Sequence, residues 1–148
     1  AKAFRRTGFR TIRIGLESSS DSFTESTGGN TSRQTFLEAV NFLRAAGFSQ
    51  EDVGAYLLVG LPGQTTAQIE EDVSFVLEAG AHPKLAEYSP IPGTFMWEEA
   101  VRVSSYPIED ETLFHNCTLL AAATADVTSE FLARTRRRIR ESITNVNV

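Results

Sequence analysis

Apolar residues recur along the chain in two distinct periods, and the two alternate. Thr11-Ile12-Arg13-Ile14-Gly15-Leu16 places branched apolar residues at every second position, the pattern of a strand with one buried face. Val53 to Val59 is a nearly continuous apolar run, as in a strand covered on both faces. Leu85 to Ile91 is a weaker third strand, closed by Pro92-Gly93. Between these runs the period changes to that of a helix. Phe36, Val40 and Leu43 share one face, as do Ile69, Val73, Val76 and Leu77. Both segments open on a capping-box pattern, Thr31-Ser32-Arg33-Gln34 and Thr65-Thr66-Ala67-Gln68, and close on Gly47 and Gly80. Glu70, Glu71 and Asp72 are expected near the first turn of the second helix, where its dipole favours acids.

The order strand, helix, strand, helix, strand predicts an α/β fold with a parallel sheet. Upstream, Phe4-Arg5-Arg6-Thr7-Gly8-Phe9 reads as the end of a helix stopped by Gly8, so the chain starts in mid-pattern and is expected to be a piece of a longer protein. Downstream, residues 94–107 form an irregular or short helical connector around Trp97. Glu109-Asp110-Glu111 reads as an acidic helix start leading into Leu113, Phe114, Leu119 and Leu120. Phe131, Leu132, Ile139 and Ile143 mark a last amphipathic helix with arginines on its wet face.

Composition narrows the function classes. With 148 residues, 41% hydrophobic and 22% charged, the chain suits a globular domain and not a disordered or fibrous one. No apolar run approaches the length of a membrane span, no signal-peptide pattern opens the chain, and a cytoplasmic location is expected. A net charge of −5 argues against broad nucleic-acid binding, although Arg134, Arg136, Arg137, Arg138 and Arg140 crowd the last helix. The single cysteine, Cys117, rules out an internal disulfide and a cysteine-only metal site within this chain.

In a parallel α/β sheet, ligands sit at the carboxyl ends of the strands. The residues following the three strands are Glu17-Ser18-Ser19-Ser20-Asp21, Gly60-Leu61-Pro62-Gly63-Gln64-Thr65 and Ser89-Pro90-Ile91-Pro92-Gly93-Thr94. Glu17 has two readings: a carboxylate that caps its own turn or pairs with an arginine, or one that holds the vicinal hydroxyls of a ribose. The serines read as turn chemistry. The glycine turn at 60–63 lacks the lysine and spacing of a phosphate loop; by itself it reads more often as a plain strand-to-helix turn than as a close approach to a ligand. His82 reads as a loop residue. His115 and Cys117 are metal-ligand types without partners at a recurring spacing.

Ile14-Gly15-Leu16-Glu17-Ser18, Leu57-Leu58-Val59-Gly60-Leu61-Pro62-Gly63-Gln64-Thr65 and Glu87-Tyr88-Ser89-Pro90-Ile91-Pro92-Gly93-Thr94, in that order, resemble the later half of a radical S-adenosylmethionine core. The resemblance implies a partial (β/α) TIM-type barrel. Residues 1–100 would be its later half and 101–148 a helical carboxyl-terminal extension. It further implies a nucleoside site in which Glu17 and Ser18 contact ribose. Leu58 and Gly60 would lie against adenine, with Tyr88, Ser89, Pro90 and Ile91 touching it largely through backbone. The family's cofactors are S-adenosylmethionine and a 4Fe–4S cluster, and the stretch Pro90 to Trp97 with Leu113-Phe114-His115-Asn116 is similar to iron–sulfur oxidoreductases that carry cobalamin. In an intact parent the cluster would reduce S-adenosylmethionine to methionine and a 5′-deoxyadenosyl radical, which abstracts hydrogen from substrate.

The family's C-x-x-x-C-x-x-C cluster motif is absent here, as is the glycine-rich segment that binds the methionyl amine. Tyr56 and Gly63 stand where the family often has an earlier glycine and a later glutamate around the motif that Leu58 and Gly60 match. The chain is therefore expected to be inactive alone, to ligate no metal and to bind no cofactor tightly. Its substrate, small molecule or macromolecule, is unassigned, and an exposed sheet edge could pair with a second copy. The alternative is a non-catalytic nucleotide- or sugar-binding α/β module; an RNA-interacting piece, resting on the arginine tail, is the third reading.

Overall fold

A computed structural model describes residues 1–20 and 31–144. The helix α1 (Lys2–Arg6) precedes β1 (Ile12–Glu17), α2 (Arg33–Ala45), β2 (Val53–Val59), α3 (Thr66–Glu78), β3 (His82–Glu87), α4 (Trp97–Val103) and α5 (Ser129–Thr144). Two short 3-10 turns, Thr112–His115 and Cys117–Leu119, lie between α4 and α5. The strands form one parallel sheet in the order β1-β2-β3. The expected α/β architecture with parallel strands is what the chain adopts.

Each element has a local cause. Val53, Ala55, Leu57 and Val59 of β2 are buried, and Phe36, Val40, Leu43, Val73 and Val76 of the helices pack in the same core. The α3 cap is the predicted box, with Thr65 accepting from the Gln68 amide and the Gln68 side chain accepting from the Thr65 amide. Gly47 and Gly80 take φ of 90° and 81°, which lets each chain leave its helix through the left-handed region.

Several expectations need correcting. The α2 cap is Ser32, not Thr31: the Ser32 hydroxyl accepts from Thr35, one residue along from the predicted pair. Gln34 instead donates to Glu38. The third strand begins at His82, three residues before the predicted start, so His82 is a strand residue. Lateral pairing of Gly54 with His82 and Tyr56 with Lys84 holds this segment as a strand despite Pro83, the residue that suggested a loop. Glu70 and Glu71 fall beyond the first turn of α3, and Asp72 is turned inward and buried. The acidic run at 109–111 starts no α-helix; Glu111 caps a 3-10 turn by accepting from Leu113, and Leu113 is left exposed.

The helices α2, α3 and α5 cover one face of the sheet. On α5, Phe131 and Leu132 pack with Val59 and Ile69, and Ile139 and Ile143 complete the larger cluster. The opposite face carries Arg13 and Gly15 of β1, Gly54, Tyr56 and Leu58 of β2, and His82, Lys84 and Ala86 of β3, since laterally paired residues share a face. Tyr56 is 48% exposed there, so this face has no covering layer among the described residues. The segment after β3 packs over the carboxyl end of the sheet, where Ala100, Ile108, Ala121 and Ala122 gather around Tyr88, Trp97 and Phe114.

Candidate functional site

Glu17, Gly60 and Ser89 lie just at or beyond the carboxyl ends of three parallel, laterally paired strands, and so on one rim. The Tyr88 amide donates to the Val59 carbonyl at 2.8 Å, which fixes the third segment against the second.

Glu17 owes its position to a bulge. Gly15 pairs with Tyr56 and Glu17 with Leu57, so β1 advances two residues for one on β2. Such an irregularity re-aims the side chain beside it. Glu17 has a φ of 65°, a region a glutamate enters only when its surroundings hold it there. Those surroundings begin at the next residue. The Ser18 amide donates to the Leu16 carbonyl at 2.8 Å. Asp72 of α3 then collects the turn on one oxygen: its Oδ1 accepts from the Ser19 amide at 2.6 Å, the Ser19 hydroxyl at 2.7 Å and the Ser18 hydroxyl at 3.1 Å. Ser20 closes the turn by donating its amide to the Ser18 hydroxyl. Burial pushes the Asp72 carboxyl above its ordinary pKa, against the pull of the Ser19 and Ser18 bonds. Its Oδ2 is buried without a hydrogen-bond partner among the described residues.

Ser18 is thus buried, with its hydroxyl committed to Asp72, whereas the half-buried Glu17 has a carboxylate that makes no hydrogen bond or ion pair among the described residues. The serines do act as turn chemistry. Asp21, predicted beside them, lies outside the described residues.

The second segment is built around a residue the sequence reading left unused. Gln64 is fully buried; its Oε1 accepts from the Gly60 amide at 2.9 Å and its Nε2 donates to the Leu58 carbonyl at 3.0 Å. One side chain therefore satisfies both sides of the strand-to-helix turn. Gly60 has a φ of 80°, and a Cβ there would meet Leu120 Cδ2 at 3.0 Å and Ala123 Cβ at 3.6 Å. The close approach that this glycine permits is to the chain's own extension. Thr124 locks that approach, donating to the Gln64 carbonyl at 2.7 Å and to Asp126 at 2.6 Å. Leu58 is half-buried on the bare sheet face.

In the third segment Ser89 donates to the His115 carbonyl, and His115 Nε2 donates to the Ile108 carbonyl at 2.7 Å, with its ring edge-on to Trp97. His115 is therefore a fastener of the extension. Tyr88 is half-buried, and burial pushes its phenol above the ordinary value. Pro90 is buried and Ile91 is 55% exposed. The rim thus presents a carboxylate at β1, an apolar side chain at β2, and an aromatic, backbone and apolar surface after β3.

Cys117 is a free thiol and the chain's only cysteine. One thiolate cannot hold a 4Fe–4S cluster, so the donor set of this chain does not fit that group. Among the described residues no helix is long and apolar enough to cross a membrane.

Two comparisons bear on this arrangement. A 102-residue stretch, 68% of the chain, is 28% identical to an uncharacterized methyltransferase, PH0819, of Pyrococcus horikoshii. The match spans 22% of that relative, so the chain corresponds to a minor part of the longer protein. The family model of the radical SAM superfamily matches residues 1–76, which include β1, β2 and the Glu17 and Gly60 turns. The parallel sheet, the ordered rim motifs and this match over half of the chain together make it a member of the radical SAM superfamily.

Proposed function

We propose that this chain is the nucleoside-contacting part of a radical S-adenosylmethionine iron–sulfur enzyme, with the cluster cysteines supplied by a longer polypeptide. The observation that carries the reading is the unpaired Glu17 carboxylate, held at the rim in a conformation its turn enforces. A carboxylate of this kind accepts from both hydroxyls of a ribose at once. Leu58 and Ile91 offer apolar surface to a purine face, and Tyr88, Ser89 and Pro90 place backbone groups along its edge. Ser18 acts from beneath, through the turn, since its hydroxyl is committed to Asp72. Gly60 acts in the same way, by letting the extension seat on the turn.

The absent cluster supplies the electron that starts radical chemistry in this family. This chain binds and orients the nucleoside and holds one wall of the substrate space. The named methyltransferase relative makes methyl transfer the first reaction class to assay. On this reading the isolated chain forms no 5′-deoxyadenosine above background after anaerobic reconstitution.

The deciding experiment compares S-adenosylmethionine binding by the intact polypeptide and its Glu17→Ala variant, using titration calorimetry. Loss of a charged hydrogen-bonding group of about 1.5–3 kcal/mol weakens binding roughly tenfold to a hundredfold. Unchanged affinity returns Glu17 to capping its own turn. A cysteine triad encoded upstream supports the enzyme over a stand-alone nucleotide- or sugar-binding module.

A further inference from the structure

At the opposite end of the sheet a second group of residues converges that the nucleoside reading does not use. Arg13, Gly54 and His82 form one lateral row on the bare face, and Gly15, Tyr56 and Lys84 the next. Arg13 lies flat across Gly54: a Cβ at Gly54 would stand 2.6 Å from Arg13 Cδ. Its Nη1 donates to the carbonyls of Ile12 at 3.0 Å and Asp52 at 3.3 Å, which pins the guanidinium at the amino-terminal ends of β1 and β2. The glycine thus lets an arginine of β1 reach across β2 towards β3.

Two cavities open beside β3, of about 360 Å³ and 400 Å³, and both are lined by His82, Lys84 and Arg140. Tyr56 and Arg136 join the first and Glu51 the second. Arg136 is paired with Glu87 at 2.6 Å. The cations Arg13, Lys84 and Arg140 stand here against the carboxylate of Glu51; Asp52, which also faces Arg13, is paired with Arg5 at 4.0 Å. In a chain of net charge −5, this is a local excess of two positive charges. The excess is felt by the groups themselves. Burial, then Lys84 and Arg13, hold His82 below its ordinary pKa against the opposing effect of Glu51. Burial and Arg13 do the same to Lys84. These effects bias His82 towards its neutral, hydrogen-bonding imidazole form.

We propose that this cavity, formed by Lys84, His82 and Arg140 with Arg13 behind them, binds a dianionic phosphate group. A dianion matches the local excess, and a neutral imidazole beside two cations supplies a directional donor. The concave shape and the volume suit a small ligand. An extended polyanion is disfavoured, because two of the outward arginines of α5 are engaged, Arg134 with Glu130 and Arg138 with Glu70. Five residue steps along β3 lead from His82 to Glu87, about 16 Å at 3.3 Å per step, so the site is distinct from the rim. The inference stands apart from the nucleoside reading.

The test is titration of this chain with inorganic phosphate at constant ionic strength, following the His82 ring by NMR both above neutral pH and through the range in which the ring itself titrates. A bound dianion favours the imidazolium, so saturating phosphate raises the His82 titration midpoint. Lys84→Gln and Arg140→Gln each weaken binding about tenfold, the effect of removing one charge-assisted hydrogen bond. Lys84→Arg keeps most of it, and Arg134→Gln, on the exposed face of α5, changes nothing. Glycerol phosphate separates two sources of the same group. Binding at least as tight as that of free phosphate marks a phosphorylated substrate, whereas binding of the free ion alone marks phosphate itself; both support the site. Shifts that fail to saturate by roughly 50 mM, where general screening dominates, overturn it. Equal loss in Arg134→Gln overturns it as well.

Discussion

Asp72 accepts three hydrogen bonds on Oδ1, yet burial holds its carboxyl above the ordinary value, because desolvation of the charge outweighs them. A carboxyl whose folded pKa is raised binds its proton more tightly when folded. Its contribution to stability is complete below its unfolded value of 3.8 and is lost as pH rises through the raised folded value. The stability difference between the native chain and Asp72→Asn should therefore grow in favour of the native chain as pH falls from neutrality. Urea denaturation of both proteins across that range measures it. A flat difference would show that Asp72 does not titrate differently on folding. At Gln64 the expectation is simpler. Gln64→Ala strands the Gly60 amide and the Leu58 carbonyl in a buried turn, at a cost of roughly 2–4 kcal/mol. The midpoint of denaturation should drop accordingly, while circular dichroism retains the α/β signature.

At the scale of elements, α5 is fastened by packing and by charge. Leu132, 1% exposed, sits between Val59 and Ile69, and Leu132→Ala should cost roughly 2–5 kcal/mol in chemical denaturation. The loop leading into α5 is tied to α3 by Asp126, which accepts from the Thr66 hydroxyl at 3.0 Å, the Thr66 amide at 3.3 Å and Thr124. Those bonds, the Thr124 one foremost, lower its carboxyl to about 2. A depressed folded pKa gives stability that is present above the unfolded value near 3.8 and is lost as pH falls towards 2. Hydrogen exchange at residues 120–128 should quicken over that window in the native chain and not in Asp126→Asn. Equal exchange in the two would place the acid-sensitive contact elsewhere.

At the scale of the whole molecule, the sheet has one covered face and one bare face, and the extension closes over one end. This geometry bears on the RNA reading and on the affinity of this chain for a nucleoside. The arginines of α5 are largely spent on Glu130, Glu87 and Glu70, so salt-dependent retention on RNA should be no greater than that of an acidic control protein. On the proposed reading the rim would offer a nucleoside one carboxylate and one apolar wall, without methionyl or cluster contacts. Two or three missing charged hydrogen bonds remove some two to five orders of magnitude in affinity, so this chain should bind S-adenosylmethionine no tighter than millimolar. Micromolar binding in a calorimetric titration would move the source of affinity into this chain.

The α/β class, the parallel sheet, the bounds of β2 and the α3 capping box were all legible in the sequence, because each depends on neighbours within a few positions. The rim was legible too, since the carboxyl end of a parallel strand is set by chain direction. Local pattern failed where partners are remote. His82 joins a strand because Gly54 is beside it, and Asp72 leaves the wet face of its helix because the Ser18–Ser19 turn waits 53 and 54 residues upstream. Nothing in the sequence context of Gln64 marks a side chain that bridges Leu58 and Gly60. Tertiary structure alone decided that Glu17 stands in the left-handed region, that Leu120 fills the space over Gly60, and that Arg13 reaches across Gly54. Each of these depends on contacts between separate elements, which periodicity along the chain does not encode.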